Sequence, residues 1–226
     1  MTEDLKTGEY STSTGSMERP MVHLCEQLKP RFESGRYSLI IGDDTSGRLP
    51  TLAIRGFSRH ISNKIRGNNL PVVFLQASRR LRTPAVEQQI DQRVMPYFKP
   101  GTGKGRALII TDFIKHGATM SRLMELLSSR GIDFDVAAMT CAKTPLVHAL
   151  RSDLPQGTEL FVGEDVDWNA PEIYSRPDLT GLKRASRGDG SVQVVRATGR
   201  VNNPLIVGLA RKDVNILINK LISQCG

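Results

Sequence analysis

An α/β fold built on a mostly parallel, doubly wound sheet follows from three features of the sequence. Short apolar runs recur along the chain as YSLIIG, PVVFL, ALIIT, DVAAMT and ELFVG. Runs of this kind suit strands that are buried on both faces. Helical patterns lie between several of them, and strands that alternate with helices imply parallel pairing with helices on both sides. Two of the runs also pass through a polar, glycine-containing turn straight into a helix, which places two loops at the same edge of the sheet.

Taken in order, residues 1 to 18 are rich in Ser, Thr and Gly and read as a disordered tail, with one domain over 19 to 226. Pro20 to Phe32 suits a first helix. YSLIIG is a strand, DDTSGRLP a turn, and Leu52, Ala53, Gly56, Phe57 and His60 mark the helix after it. PVVFL at 71 to 75 is a strand, a helix lies within 84 to 98, and Ala107 to Ile110 form the next strand. Met120, Leu123, Met124 and Leu127 then fall at i, i+3, i+4 and i+7 of an amphipathic helix that Gly131 ends. DVAAMT and ELFVG add two strands, residues 164 to 204 read as an irregular polar segment, and Val214, Leu217, Ile218 and Leu221 mark a last helix near 211 to 223. No internal repeat is visible.

At 226 residues and 39% hydrophobic content the chain can bury one sizeable core. A formal charge of +8 suits a polyanionic partner, either a phosphorylated small molecule or nucleic acid. Cys25, Cys141 and Cys225 are odd in number, far apart and without zinc spacing, so neither a disulfide framework nor a structural metal is indicated. No apolar run reaches about 18 residues and no secretory signal is visible, so the expectation is a cytoplasmic protein without a membrane span.

The segment ALIITDFIKHGATMSRLMELLSSRG, residues 107 to 131, carries the most chemistry. A turn joining a buried strand to a helix N-terminus offers backbone N–H groups and the positive end of the helix dipole to an anion. Gly117 and Ala118 let a ligand approach the backbone, Thr119 can cap the helix and add a hydroxyl, and Asp112 sits near the strand's carboxyl end. PGTGKGR at 100 to 106 does not make a P-loop, because Gly105 follows Lys104 where Ser or Thr is needed and a strand follows where a helix should open.

ALIITDFIKHGATM resembles the phosphoribosyl pyrophosphate (PRPP) motif of type I phosphoribosyltransferases, especially the hypoxanthine-guanine enzymes, matching it at Asp112, Gly117, Thr119 and Met120. AKTP at 142 to 145, LFVGEDVDWN and YSRPDLTGL resemble later segments of the same family in the same order. The resemblance spans roughly residues 36 to 182. It implies a Mg²⁺-dependent transferase of nucleotide metabolism acting on PRPP or a nucleoside monophosphate. Lys115, His116, Gly117, Ala118 and Thr119 would cradle the 5′-phosphate, Thr111 and Asp112 would face the ribose, and Asp112 and Lys115 would lie nearest the reacting bonds. Asp44, Thr45, Ser46, Gly47 and Arg48 would form the pyrophosphate loop, joined by Arg79, Arg80 and Arg176. Lys143 and Trp168 would meet the base, and Asp167 would hold Mg²⁺ through water.

Two positions depart from the family. Thr111 replaces the first acid of its pair, and Lys115 stands where the purine enzymes place a general acid/base Asp. Both changes remove negative charge beside a ribose that becomes cationic during transfer. A Lys with an ordinary pKa near 10.4 would need about three units of downward shift to act as a base at pH 7, so contact with phosphate suits Lys115 better. Two functions stay open: phosphoribosyl transfer to a base or another nucleophile, and a catalytically inactive sensor or RNA-binding regulator on the same fold. RNA and a second copy of the chain stay open as partners.

Overall fold

The computed structural model describes residues 9–43, 47–65, 69–77, 83–98, 105–167, 182–186, 192–196 and 204–226. Five parallel strands form the central sheet: β1 (Tyr37–Asp43), β2 (Val72–Leu75), β3 (Arg106–Ile114), β4 (Phe134–Ala142) and β5 (Leu160–Val166). Their order is β2-β1-β3-β4-β5. The connections reverse direction across the sheet between β1 and β3, and a doubly wound sheet opens a crevice at such a point, outside the carboxyl ends of the strands.

Alternation along the strands builds two cores. Ile40, Leu108, Ile110, Ala137 and Met139 face α1 (Glu18–Glu33), α2 (Arg48–Ile65) and α6 (Pro204–Cys225). Leu39, Ile41, Ile109, Val136 and Ala138 face α3 (Thr83–Arg93), α4 (Ala118–Ser128) and α5 (Pro145–Ser152). Every residue of β4 is buried, as the continuous apolar run requires of a central strand covered on both sides. Helix α6 lies over α1 and α2, and at Gly56 a side chain would come within 2.4 Å of Ile218.

Several elements differ from the sequence expectation. Residues 1–8 lie outside the described residues, whereas Ser13–Met17 form a 3-10 turn with Thr14 and Met17 buried. Asp213 of α6 holds this segment, accepting from Ser11 N at 2.9 Å and from Thr12 N at 2.7 Å and Oγ1 at 2.6 Å. The expected tail is therefore folded from about Ser11 on, since its polar groups find a buried partner 200 residues away. The polar segment 164 to 204 is not wholly irregular: β6 (Leu182–Ser186) and β7 (Val192–Arg196) pair as an antiparallel hairpin. α5 falls between DVAAMT and ELFVG, where no helix was expected. Its signals are legible in retrospect, with Thr144 as N-cap and Pro145 in the first turn.

The amino edge of the sheet is clamped by charge. Asp135, fully buried, accepts from Arg36 Nε at 2.7 Å, from Tyr37 Oη at 3.1 Å and from Glu159 N at 3.0 Å, and Arg106 Nη2 lies 3.2 Å away. Glu159 in turn pairs with Arg31 at 2.7 Å and Arg36 at 2.9 Å. The first residues of β1 and β3, the second of β4 and the residue before β5 are thereby tied together.

Candidate functional site

The carboxyl edge is built differently, around two glycines. At the end of β1, Gly47 begins α2, its carbonyl accepting from Thr51 N at 2.9 Å. A side chain on Gly47 would meet Ile110 O at 2.8 Å and Asp43 N at 3.0 Å, so Gly47 rests directly on the backbone of β1 and β3. At the end of β3, Gly117 is the N-cap of α4 in the left-handed region, with φ +76°, and its carbonyl accepts from Ser121 N at 2.8 Å. Only glycine adopts that conformation without steric cost. No side chain caps α4. Among the described residues the N–H groups of its first turn therefore meet no capping oxygen, and the helix dipole adds positive potential there.

These two helix starts flank the switch point, one on each face of the sheet. Strand β3 continues through Thr111–Ile114, pairing with β4 as far as Ile114 and Cys141, so the turn itself is only Lys115–Gly117. The strand extends because Thr111 and Phe113 pair with Ala138 and Thr140 of the fully buried β4. Thr119 is thus the second residue of α4, and its capping role passes to Gly117, whose left-handed turn already starts the helix.

Thr111 and Asp112 are 5% and 2% exposed. Asp112 Oδ1 accepts from its neighbour Phe113 N at 2.7 Å, and Thr140 Oγ1 donates to Asp112 O at 3.1 Å. Lys115 is half-buried and His116 exposed, both in the turn. Lys143 follows β4, is exposed, and donates its backbone N–H to Val166 O at 2.9 Å. Asp167 follows β5 and is exposed. Residues chosen from four separated segments therefore fall at the same edge of β1, β3, β4 and β5. Asp44, Thr45, Ser46, Arg79, Arg80, Trp168 and Arg176 lie outside the described residues.

Arg48 is set apart from the others. Its guanidinium stacks on the Phe74 ring, 4.4 Å from the centroid, and it lines a cavity of about 480 Å³ beside edge strand β2. The sequence also left two supporting residues unremarked. Thr140 anchors the backbone of Asp112, and Gly42 leaves room for Phe74 and Thr51, which would lie 2.8 and 2.5 Å from any side chain there. A glycine inside the apolar run YSLIIG was the available signal.

A Mg²⁺ ion keeps most of its waters and binds through one or two carboxylates together with substrate phosphates. Asp167, an exposed acid just past the end of β5, fits that requirement. Among the described residues no group of three His, Cys, Asp or Glu side chains gathers to hold a metal. No described helix is long and apolar enough to cross a membrane.

No family model matches the chain, and no curated protein matches it significantly. Among solved structures, it is similar to a hypothetical protein from Neisseria gonorrhoeae with bound ppGpp, at 15% identity and TM-score 0.44, covering 73% of this chain and 90% of that one. It is also similar to a purine phosphoribosyltransferase from Pyrococcus horikoshii, at 17% identity and TM-score 0.39, covering 71% and 89%. A hypoxanthine phosphoribosyltransferase from Staphylococcus aureus gives 12% identity and TM-score 0.37, covering 74% and 83%. At these scores the similarities add no argument about the site, which stands on its own geometry.

Proposed function

We propose that the crevice at the carboxyl edge binds a phosphorylated ribose, PRPP or a nucleoside 5′-monophosphate, and transfers the phosphoribosyl group to a nitrogenous base or another nucleophile. One observation carries this reading: the helices that begin at Gly47 and Gly117 flank the β1–β3 switch point, and no side chain caps α4. Such starts suit anionic groups, and a ligand with phosphate at one end and pyrophosphate at the other could use both. The 5′-phosphate would sit on the backbone of Lys115–Thr119 with the Lys115 ammonium beside it. The pyrophosphate would lie toward residues 44–47. Transfer breaks the bond from ribose C1 to the pyrophosphate oxygen, which leaves with the electron pair, and forms a bond from C1 to the acceptor. The acceptor's proton passes to solvent. Mg²⁺ held through Asp167 would neutralise charge on the leaving group.

A non-catalytic ligand sensor is the second reading, favoured by Thr111. This residue is buried within β3 and replaces one of two carboxylates that would steady a cationic ribose. A panel of nucleobases incubated with protein, PRPP and Mg²⁺ and followed by mass spectrometry separates the two. A nucleoside monophosphate formed with pyrophosphate supports transfer. PRPP binding without any product supports the sensor, and absence of binding removes both.

A further inference from the structure

The net charge of +8 is unevenly distributed. Helix α2 carries four Arg or Lys residues and no acid, and its neighbour α6 carries three and one acid, so these two helices hold six of the eight net charges. The one acid, Asp213, is buried and committed to Ser11 and Thr12. Lys220 is paired with Glu18 at 2.7 Å, and Arg48 is stacked on Phe74. Five cations are left: Arg55, Arg59 and Lys64 on α2, and Arg211 and Lys212 on α6. All five are exposed, and among the described residues none has an ion pair or a side-chain hydrogen bond. On the other side of the sheet Arg130 pairs with Asp91 and Arg151 with Asp165, while Arg93 and Arg122 donate to Phe74 O and Thr83 Oγ1.

Arg55, Arg59 and Arg211 lie near one another on the outer side of α2 and α6. Arg55 and Arg59 are i, i+4 neighbours, about 6 Å apart along the helix axis. Like charges at that spacing weaken a helix. Helix α6 runs parallel to α1, since Asp213 meets Thr12, Lys220 meets Glu18 and Cys225 meets Val22 in sequence. It therefore also runs parallel to α2, which like α1 is antiparallel to β1. Ile218 packs on Gly56, beside Arg55. Arg211, seven residues earlier on the same flank, then lies about 10 Å toward the start of α2. Asn63, Asn215 and Asn219, also exposed on these helices, add amide donors, and Phe57, the one Phe, Tyr or Trp of the pair, is fully buried.

We propose that the α2–α6 face binds the phosphate backbone of nucleic acid, without reading its sequence. Unpaired cations and amides are the donors that phosphodiesters use, and with no exposed Phe, Tyr or Trp on these helices there is little platform for stacking bases. The proposal is independent of the transferase reading, because it uses none of the residues placed in the crevice at the carboxyl edge.

Fluorescence anisotropy of a labelled duplex of about twenty base pairs, titrated with wild-type protein between about 50 and 200 mM salt, tests it. Affinity should fall linearly on logarithmic axes. The double variant Arg55→Glu/Arg59→Glu should weaken binding at least about tenfold and lower the salt slope by about 2, while Arg19→Glu on α1 leaves both unchanged. The double variant should keep the wild-type melting temperature and any affinity for PRPP. Should it fail to fold, Arg211→Gln/Lys212→Gln gives the same test from α6. Wild-type protein that does not bind the duplex, variants that bind as wild type, or binding to phosphatidylserine vesicles in place of the duplex would each overturn the proposal.

Discussion

Gly117 turns the backbone at φ +76°, and a side chain there would meet Leu150 Cδ2 at 3.2 Å. Gly117→Ala should cost about 1–2 kcal/mol from the left-handed conformation alone, which for a chain of this size lowers the melting temperature by about 2–4 °C per kcal/mol. A melting temperature equal to wild type would mean that the turn relaxes and that its shape is not fixed by packing. Lys115, two residues earlier, makes a different test. Lys115→Ala should weaken PRPP and ribose 5-phosphate alike, by the roughly 1.5–3 kcal/mol of a charge-assisted hydrogen bond, as read by titration calorimetry. Loss confined to PRPP would place the ammonium at the pyrophosphate instead. The sequence made Gly117 and Lys115 visible because glycine and charge stand out in an apolar context. It misled at Thr119, where a hydroxyl suited to capping sits two residues inside a helix that glycine already starts. It also gave no sign that Thr111 and Asp112 are nearly sealed from solvent, because burial of polar residues depends on β4, a partner distant in sequence.

The strands were legible as elements because double burial leaves an uninterrupted apolar run, while their ends were not. Strand β3 runs on through polar Thr111 and Asp112 because β4 continues beside it. Edge protection was also hidden. Gln89 Oε1 accepts from Gln76 N at 3.1 Å and Arg93 donates to Phe74 O at 3.3 Å beside β2, while Gln27 donates to Val162 O at 2.8 Å on β5. Flanking helices thus blunt both edges of the sheet, a contribution that their polar residues do not announce. The amino edge depends on Asp135. Removing it takes the shared buried carboxylate from Arg36, Arg106 and Tyr37, although Arg36 keeps Glu159 and Arg106 keeps the carbonyls of Phe134 and Gly157, so Asp135→Ala should cost about 1–3 kcal/mol in urea unfolding. Ligand affinity of the folded fraction should not change, since the crevice is at the opposite edge. Equal losses of stability and affinity would show that the two edges are coupled. Between β4 and α5, burial pushes the Cys141 thiol up to about 12 from 9.0, against the opposing charge of Arg151. The folded state thus holds this proton more tightly than the unfolded chain does. Its contribution is complete below about pH 9 and is lost as the pH rises toward 12. Native protein at pH 8 should accordingly alkylate Cys141 far more slowly than urea-unfolded protein; equal rates would mean that α5 opens readily.

Across the whole molecule, the two ends of one sheet are put to different use. The amino edge spends its charges on itself, through Asp135, Glu159 and three arginines. The carboxyl edge gathers loops from four strands and begins two helices on glycine. This division follows from parallel topology, since every strand delivers its C-terminal residues to one side, and alternating strands and helices made it readable before any coordinates. What sequence could not provide was the distribution of charge over the helices or the docking of residues 11–17 on α6, both of which depend on packing between distant segments. The central claim, that the crevice between β1 and β3 holds a phosphorylated ribose, is tested most directly by amide hydrogen exchange with and without PRPP and Mg²⁺. Exchange should slow at residues 115–120 and 47–51, where ligand would cover the helix starts, and stay unchanged at 134–136 on the amino edge. Unchanged exchange at both helix starts under saturating PRPP, or protection confined to another part of the chain, would contradict it.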